Sequence, residues 1–117
     1  MSTDIKQLQQ AFIAFAQERD WEQFHSPKNI AMALNVEAGE LMEHFQWLTT
    51  EQSQQLSEGK KREVAHEIGD VSLYLFRLAQ LLEIDIIAAC EEKMEINKQK
   101  YPADKVRGSA KKYKEYD

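Results

Sequence analysis

The sequence predicts an all-α fold, a four-helix bundle completed by association with further copies of the chain. Three observations carry this. Apolar residues recur at helical spacing along four long segments. Gly and Pro number only four and two in 117 residues, too few for the turns of an all-β chain. The charged fraction of 30% suits helices with solvated outer faces, and a chain of this length buries a core to which a partner subunit would add substantially.

Each element follows from its own residues. Ile5, Leu8, Phe12 and Phe15 mark a first amphipathic helix, behind the capping candidates Ser2 and Thr3 and ending near Arg19. The connection "DWEQFHSPKN" holds Trp21, Phe24 and His25, then Ser26 as an N-cap and Pro27 at the first helical position, where its missing N–H costs nothing. A second helix is expected from Pro27 to about Leu48. The polar stretch "TTEQSQQLSEGKK" reads as a loop with room for a turn of helix, and a third helix runs from about Lys60 to Leu82. Asp85 caps a fourth, which must stop before Pro102 because the residue preceding proline is pushed out of the α region. Residues 1–102 are thus expected to form one helical domain. Residues 103–117, with five basic side chains against three acidic ones, are expected to be a basic, mobile tail.

Several function classes are disfavoured. A net charge of −5 argues against a nucleic-acid polymer as partner, since phosphate neutralisation needs clustered cations. No run approaches 18 apolar residues, so no membrane span is expected. The single Cys cannot form an internal disulfide and "MSTDIKQLQQ" lacks the features of a secretion signal, so a cytoplasmic location is expected.

Acid pairs spaced by three are weak evidence singly. With 20 acids in the chain, roughly three such pairs arise by chance. Four occur: Glu37/Glu40, Glu40/Glu43, Glu67/Asp70 and Glu92/Glu95. Their phase decides more. Leu34, Ala38, Leu41, Phe45 and Leu48 form an apolar stripe on the second helix; Val64, Ile68, Val71, Leu75, Leu78 and Leu82 form one on the third, so the two are expected to pack together. Glu37 and Glu40 lie about 40° and 100° to one side of Leu41, and Glu67 and Asp70 stand at the same angles from Val71. Antiparallel packing would gather four carboxyl groups at one groove. Their mutual repulsion is relieved by a divalent cation of the kind oxygen ligands suit, Mg²⁺, Mn²⁺ or Ca²⁺. Glu43, about 160° from the seam, is assigned to solvent, as is Glu92/Glu95. The plainer reading, two charged faces paired to Lys or Arg, finds few basic residues at i±4. Trp47 and Tyr74 fall on the acidic side of their seams. Taken alone, Trp21 and Trp47 read more simply as core, and His25 equally as a loop hydrogen-bonder.

With "EAGE" and "EIGD" separated by a spacer, the chain resembles the MazG-like nucleotide pyrophosphohydrolases. Through "ERDWEQFHSPKN", "GELMEHFQW", "SLYL" and "KMEINKQKYP" it is most similar to their dCTP pyrophosphatase branch. The resemblance covers about residues 8 to 113. It implies hydrolysis of a nucleoside triphosphate, dCTP or a modified dCTP, to the monophosphate and pyrophosphate, by homodimers or homotetramers of a helical bundle. It also implies Glu37, Glu40, Glu67 and Asp70 as Mg²⁺ ligands, with Mn²⁺ a possible substitute, and Trp21, His25, Trp47 and Tyr74 as nucleotide contacts. His66 departs from the pattern, standing where many members carry an acid.

On this reading Glu40 and Glu67 are the catalytic candidates, Glu40 being the first choice to orient or deprotonate the attacking water. Lys93, Asn97, Lys100, Arg107, Lys111 and Lys112 are candidates to engage the phosphates, and read equally as a solvated basic end. Two other classes compete. A di-metal carboxylate bundle needs paired E-x-x-H motifs, and although Glu63/His66 has the spacing, Glu22/His25 sits beside Pro27 in a connection. A non-catalytic helical interaction module would have no reason to keep both acidic pairs.

Overall fold

The computed structural model describes residues 2–109, and these are helical throughout with no strand among them. The chain divides into two units, Met1–Glu83 and Ile84–Asp117.

The first unit opens with α1 (Ile5–Glu18). Its cap is Asp4 rather than Ser2 or Thr3: the Asp4 carboxylate accepts from the Gln7 amide at 2.8 Å, and the Gln7 side chain accepts in return from the Asp4 amide at 2.8 Å. The helix ends in a Schellman turn. Asp20 adopts φ +56°, the Trp21 N–H reaches the Ala16 carbonyl at 2.9 Å, and the Asp20 N–H reaches the Gln17 carbonyl at 3.1 Å. A short 3-10 turn, Glu22–Phe24, leads to Ser26, whose hydroxyl caps α2 (Pro27–Glu43).

α2 stops short of Leu48. Thr49 must be extended (ψ 166°) to cap the short α3 (Thr50–Ser53) with its own capping box, so the backbone leaves the helix through hydrogen-bonded turns at residues 44–48. Helical angles therefore do not place Phe45, Trp47 or Leu48. Ser57 caps α4 (Glu58–Leu81), on which both α1 and α2 pack.

The core lies between these three helices, with Ala16, Ile30, Val64 and Ala79 buried. The expected seam on α4 is only half right. Val64 is buried and Val71 and Leu78 half-buried, but Ile68, Leu75 and Leu82 are 51%, 41% and 50% exposed. The inward face of α4 is therefore turned toward its acidic side, with Glu67 and Tyr74 half-buried. On α2, Ala38 is likewise exposed.

The second unit holds α5 (Ile86–Lys100), capped by the Asp85 carboxylate on the Ala88 amide at 3.1 Å and ended at Tyr101 before Pro102, as the sequence indicates. A turn of helix, α6 (Ala103–Val106), lies in the segment expected to be tail. No helix among the described residues is long and apolar enough to cross a membrane.

Ile30 is 1% exposed and is the largest fully enclosed side chain among the described residues. Ile30→Ala is expected to lower the unfolding free energy by about 2–5 kcal/mol in urea titration, whereas Leu75→Ala, on the exposed stripe, should cost an isolated chain much less.

Candidate functional site

α2 and α4 run antiparallel, since Glu37 meets Glu67 and Asp70 while Glu43 shares a groove with Lys60. One carboxylate oxygen from each of Glu37, Glu67 and Asp70 falls within 4.8 Å of the others. Glu37 Oε2 and Glu67 Oε2 are buried with no hydrogen-bond donor. Two acceptor-only groups facing one another have no donor to share unless a proton or a cation supplies the missing positive charge. Burial, and then the nearby Glu67, Glu40 and Asp70, push Glu37 from the ordinary 4.5 up to about 7. This donor set fits a hard divalent cation.

Three of the four expected ligands are thus gathered. Glu40 is exposed on the other side of Glu37. With Glu43, His44, Lys60 and Glu67 it lines a polar groove of about 370 Å³. Glu43 is exposed, as its phase indicates, yet borders this groove.

On the opposite side Glu37 and Asp70 form one edge of a cavity of about 570 Å³, otherwise walled by Leu8, Ala11, Phe12, Phe15, Trp21, His25, Leu73 and Tyr74. The Phe12 ring meets His25 at 5.6 Å and Tyr74 edge-on at 5.7 Å, and Phe15 meets Trp21 edge-on at 5.7 Å. The Schellman turn brings this about by reversing the chain at Asp20, which returns Trp21 and His25 against the helix just left. Burial and then the Arg77 charge lower the His25 pKa, outweighing Glu22, so the imidazole is neutral near pH 7. Burial and then the Glu37 and Asp70 charges push the Tyr74 phenol up, keeping it a donor.

Trp21, His25 and Tyr74 are therefore brought together in the wall of one cavity, whereas Trp47 is 86% exposed and lies outside it. Phe12 and Phe15, which in the sequence only mark the apolar face of α1, are cavity walls. Their spacing carries no signal that distinguishes a packed face from a cavity wall. Lys93, Asn97 and Lys100 lie on α5 and Arg107 caps α6, all in the second unit, while Lys111 and Lys112 fall outside the described residues.

Helices that hold a carboxylate cluster between an aromatic cavity and a polar groove define a class, all-α proteins built around an acidic centre. The chain belongs to the MazG-like family, whose sequence model matches residues 32–116. It is 41% identical over 113 residues to human dCTP pyrophosphatase 1 and 43% identical over 111 to the mouse protein, covering 95% and 93% of this chain. It spans 66% and 65% of the length of those relatives. The solved structure of a pyrophosphatase from Archaeoglobus fulgidus superposes with a TM-score of 0.79 at 37% identity, over 87% of this chain and 95% of that one.

Because Glu37 holds a proton in the folded chain that it would release unfolded, its contribution to stability is present below pH 4.5 and is lost as pH rises through about 7. A cation must displace the same proton. Calorimetric titration with Mg²⁺ is expected to show affinity rising with pH through about 7, with proton release that disappears in Glu37→Gln.

Proposed function

We propose that the protein is a divalent-metal-dependent nucleoside triphosphate pyrophosphohydrolase that converts dCTP or a modified dCTP to the monophosphate and pyrophosphate. The observation that carries this is the meeting of Glu37, Glu67 and Asp70 at the edge of an aromatic cavity. The cavity, within the usual range for small-molecule sites, takes the base and sugar, and the phosphates extend over the carboxylates toward the polar groove. The names of the human and mouse relatives support the nucleotide assignment.

Glu37, Glu67 and Asp70, with Glu40 beside them, would hold Mg²⁺, or Mn²⁺ in its place. When bound, the ion would supply charge neutralisation for the triphosphate and acidify water. Trp21, Phe15 and Phe12 offer ring faces and edges for the base, His25 as a neutral imidazole offers one donor and one acceptor, and Tyr74 donates near the acidic edge. Glu40, facing the groove, takes the proton of the attacking water as its oxygen bonds to the α-phosphorus and the bridging oxygen leaves with pyrophosphate; Glu67 is the second candidate for this step. Trp47 remains a proposed base contact, and Lys93, Asn97, Arg107 and Lys111 proposed phosphate contacts.

Self-association into a dimer or tetramer belongs to the same proposal. It is supported by the exposed apolar residues Ile68, Leu75 and Leu82 on α4 and Met32, Val36 and Met42 on α2. So does a cytoplasmic location.

Glu67→Ala and Asp70→Ala are each expected to cut pyrophosphate release by at least about a hundredfold, the scale of losing one preorganised electrostatic group, with circular dichroism unchanged. Release measured across canonical and modified dNTPs and NTPs should favour cytosine. Full activity in either variant would remove the metal assignment, and a preference for dUTP would remove the base assignment.

A further inference from the structure

Arg77 is the one charged side chain buried among the described residues, at 7% exposure. It lies one turn beyond Tyr74 on the face of α4 that supplies Asp70 and Tyr74 to the cavity. Its Nη2 is paired with Glu22 Oε1 at 3.6 Å, its Nη1 donates to Gln80 Oε1 at 3.1 Å, and its Nε has no acceptor. A desolvated guanidinium whose buried Nε–H has no acceptor is costly, and apolar residues often serve a helix interface as well or better. Its position suggests why it is kept. Glu22 belongs to the short turn between Trp21 and His25, the two residues by which the connection walls the cavity.

The other restraints on that connection lie within it or run back to α1, where Phe15 meets Trp21 and Phe12 meets His25. Asp20 is held by the end of α1, Gln23 Nε2 donates to the Asp20 carbonyl at 3.0 Å, and Asn29 Nδ2 donates to the Phe24 carbonyl at 2.9 Å. These shape the turn and set it against α1, whereas the Arg77–Glu22 pair joins it to the opposite wall. We propose that Arg77, acting through Glu22, is a positioning residue that ties the turn carrying Trp21 and His25 to α4 across the cavity, and so sets the affinity for the nucleoside base and the discrimination among bases. This inference rests on the nucleotide site proposed above, and adds to it a residue outside the cavity wall.

The test uses Glu22→Gln, which removes the charge from the partly exposed partner, together with Arg77→Lys and Arg77→Met. In Glu22→Gln, KM for the preferred triphosphate is expected to rise about tenfold, as for a misplaced binding group, with kcat and the Mg²⁺ dependence little changed and the preference among bases flattened. Arg77→Lys, which keeps a cation opposite Glu22, should recover most of the affinity that Arg77→Met loses. Hydrogen exchange in residues 20–25 should speed up in Glu22→Gln while α1 and α4 stay protected. Lower thermal stability with unchanged KM, base preference and exchange in that segment would make the pair a structural tie only and overturn the proposal. Binding of nucleoside monophosphates, read by tryptophan fluorescence, separates the two readings. Wild-type binding without turnover would sink the hydrolase reading while still testing Arg77, and equal binding by wild type and Glu22→Gln would sink the role of Arg77.

Discussion

The antiparallel contact of α2 with α4 places Glu37 against Glu67 and Asp70, and the rest of the first unit is arranged around that repulsive junction. A helix interface ordinarily closes over apolar side chains. Here a stretch of it closes over carboxylates, two of whose oxygens are buried without a donor. Apolar contacts elsewhere along the same helices, Ile30 and Val64 among them, must hold the pair together against this charge. The acidic centre is accordingly preorganised, because its oxygens are brought together by packing and do not need a ligand to assemble them.

The aromatic cavity depends on the junction in a second way. Its acidic edge is formed by Glu37 and Asp70, and its opposite wall by α1 and the turn that follows it. The reversal at Asp20 is a backbone effect, set by a left-handed residue and two carbonyl contacts at the end of α1. Ala16, fully buried at the point where the Trp21 amide returns, keeps that reversal tight. One local motif thus converts a helix terminus into the wall of a cavity, and it does so with residues whose periodicity is that of an ordinary amphipathic helix.

This explains which parts of the molecule were legible in the sequence. The helices were, because caps such as Ser26 and Asp85 and the stop before Pro102 are local signals that tertiary structure did not override. Three of the four expected ligand positions are brought together because their phase depends only on helix pitch, which holds within α2 and α4. Trp47 was misplaced as a helical residue because the capping demand of Thr49 ends α2 early, and pitch arithmetic cannot be carried across that break. Phe12 and Phe15 read only as the stripe of an amphipathic helix, and nothing in the sequence marks them as cavity walls. A stripe on a helix says that a face is covered, and not whether packed side chains or a cavity lie under it. Arg77 left no periodic trace either, being a single charge within "LYLFRLAQLL".

The same logic bears on the exposed half of the α4 stripe. A helix has a limited inward face, and on α4 part of it is given to Glu67, Tyr74 and Arg77, with Asp70 at its edge. To present them, α4 is turned toward its acidic side, which carries Ile68, Leu75 and Leu82 out of the monomer's core along a line of seven-residue spacing. Polar residues at the helix interface and apolar residues in solvent are therefore two sides of one rotation. Restoring the stripe to the interior would bury the apolar residues and withdraw the carboxylates from the cavity at once. A bundle that keeps its acidic centre in the helix interface leaves that stripe outside its own core, which links the chemistry of the site to the self-association proposed above.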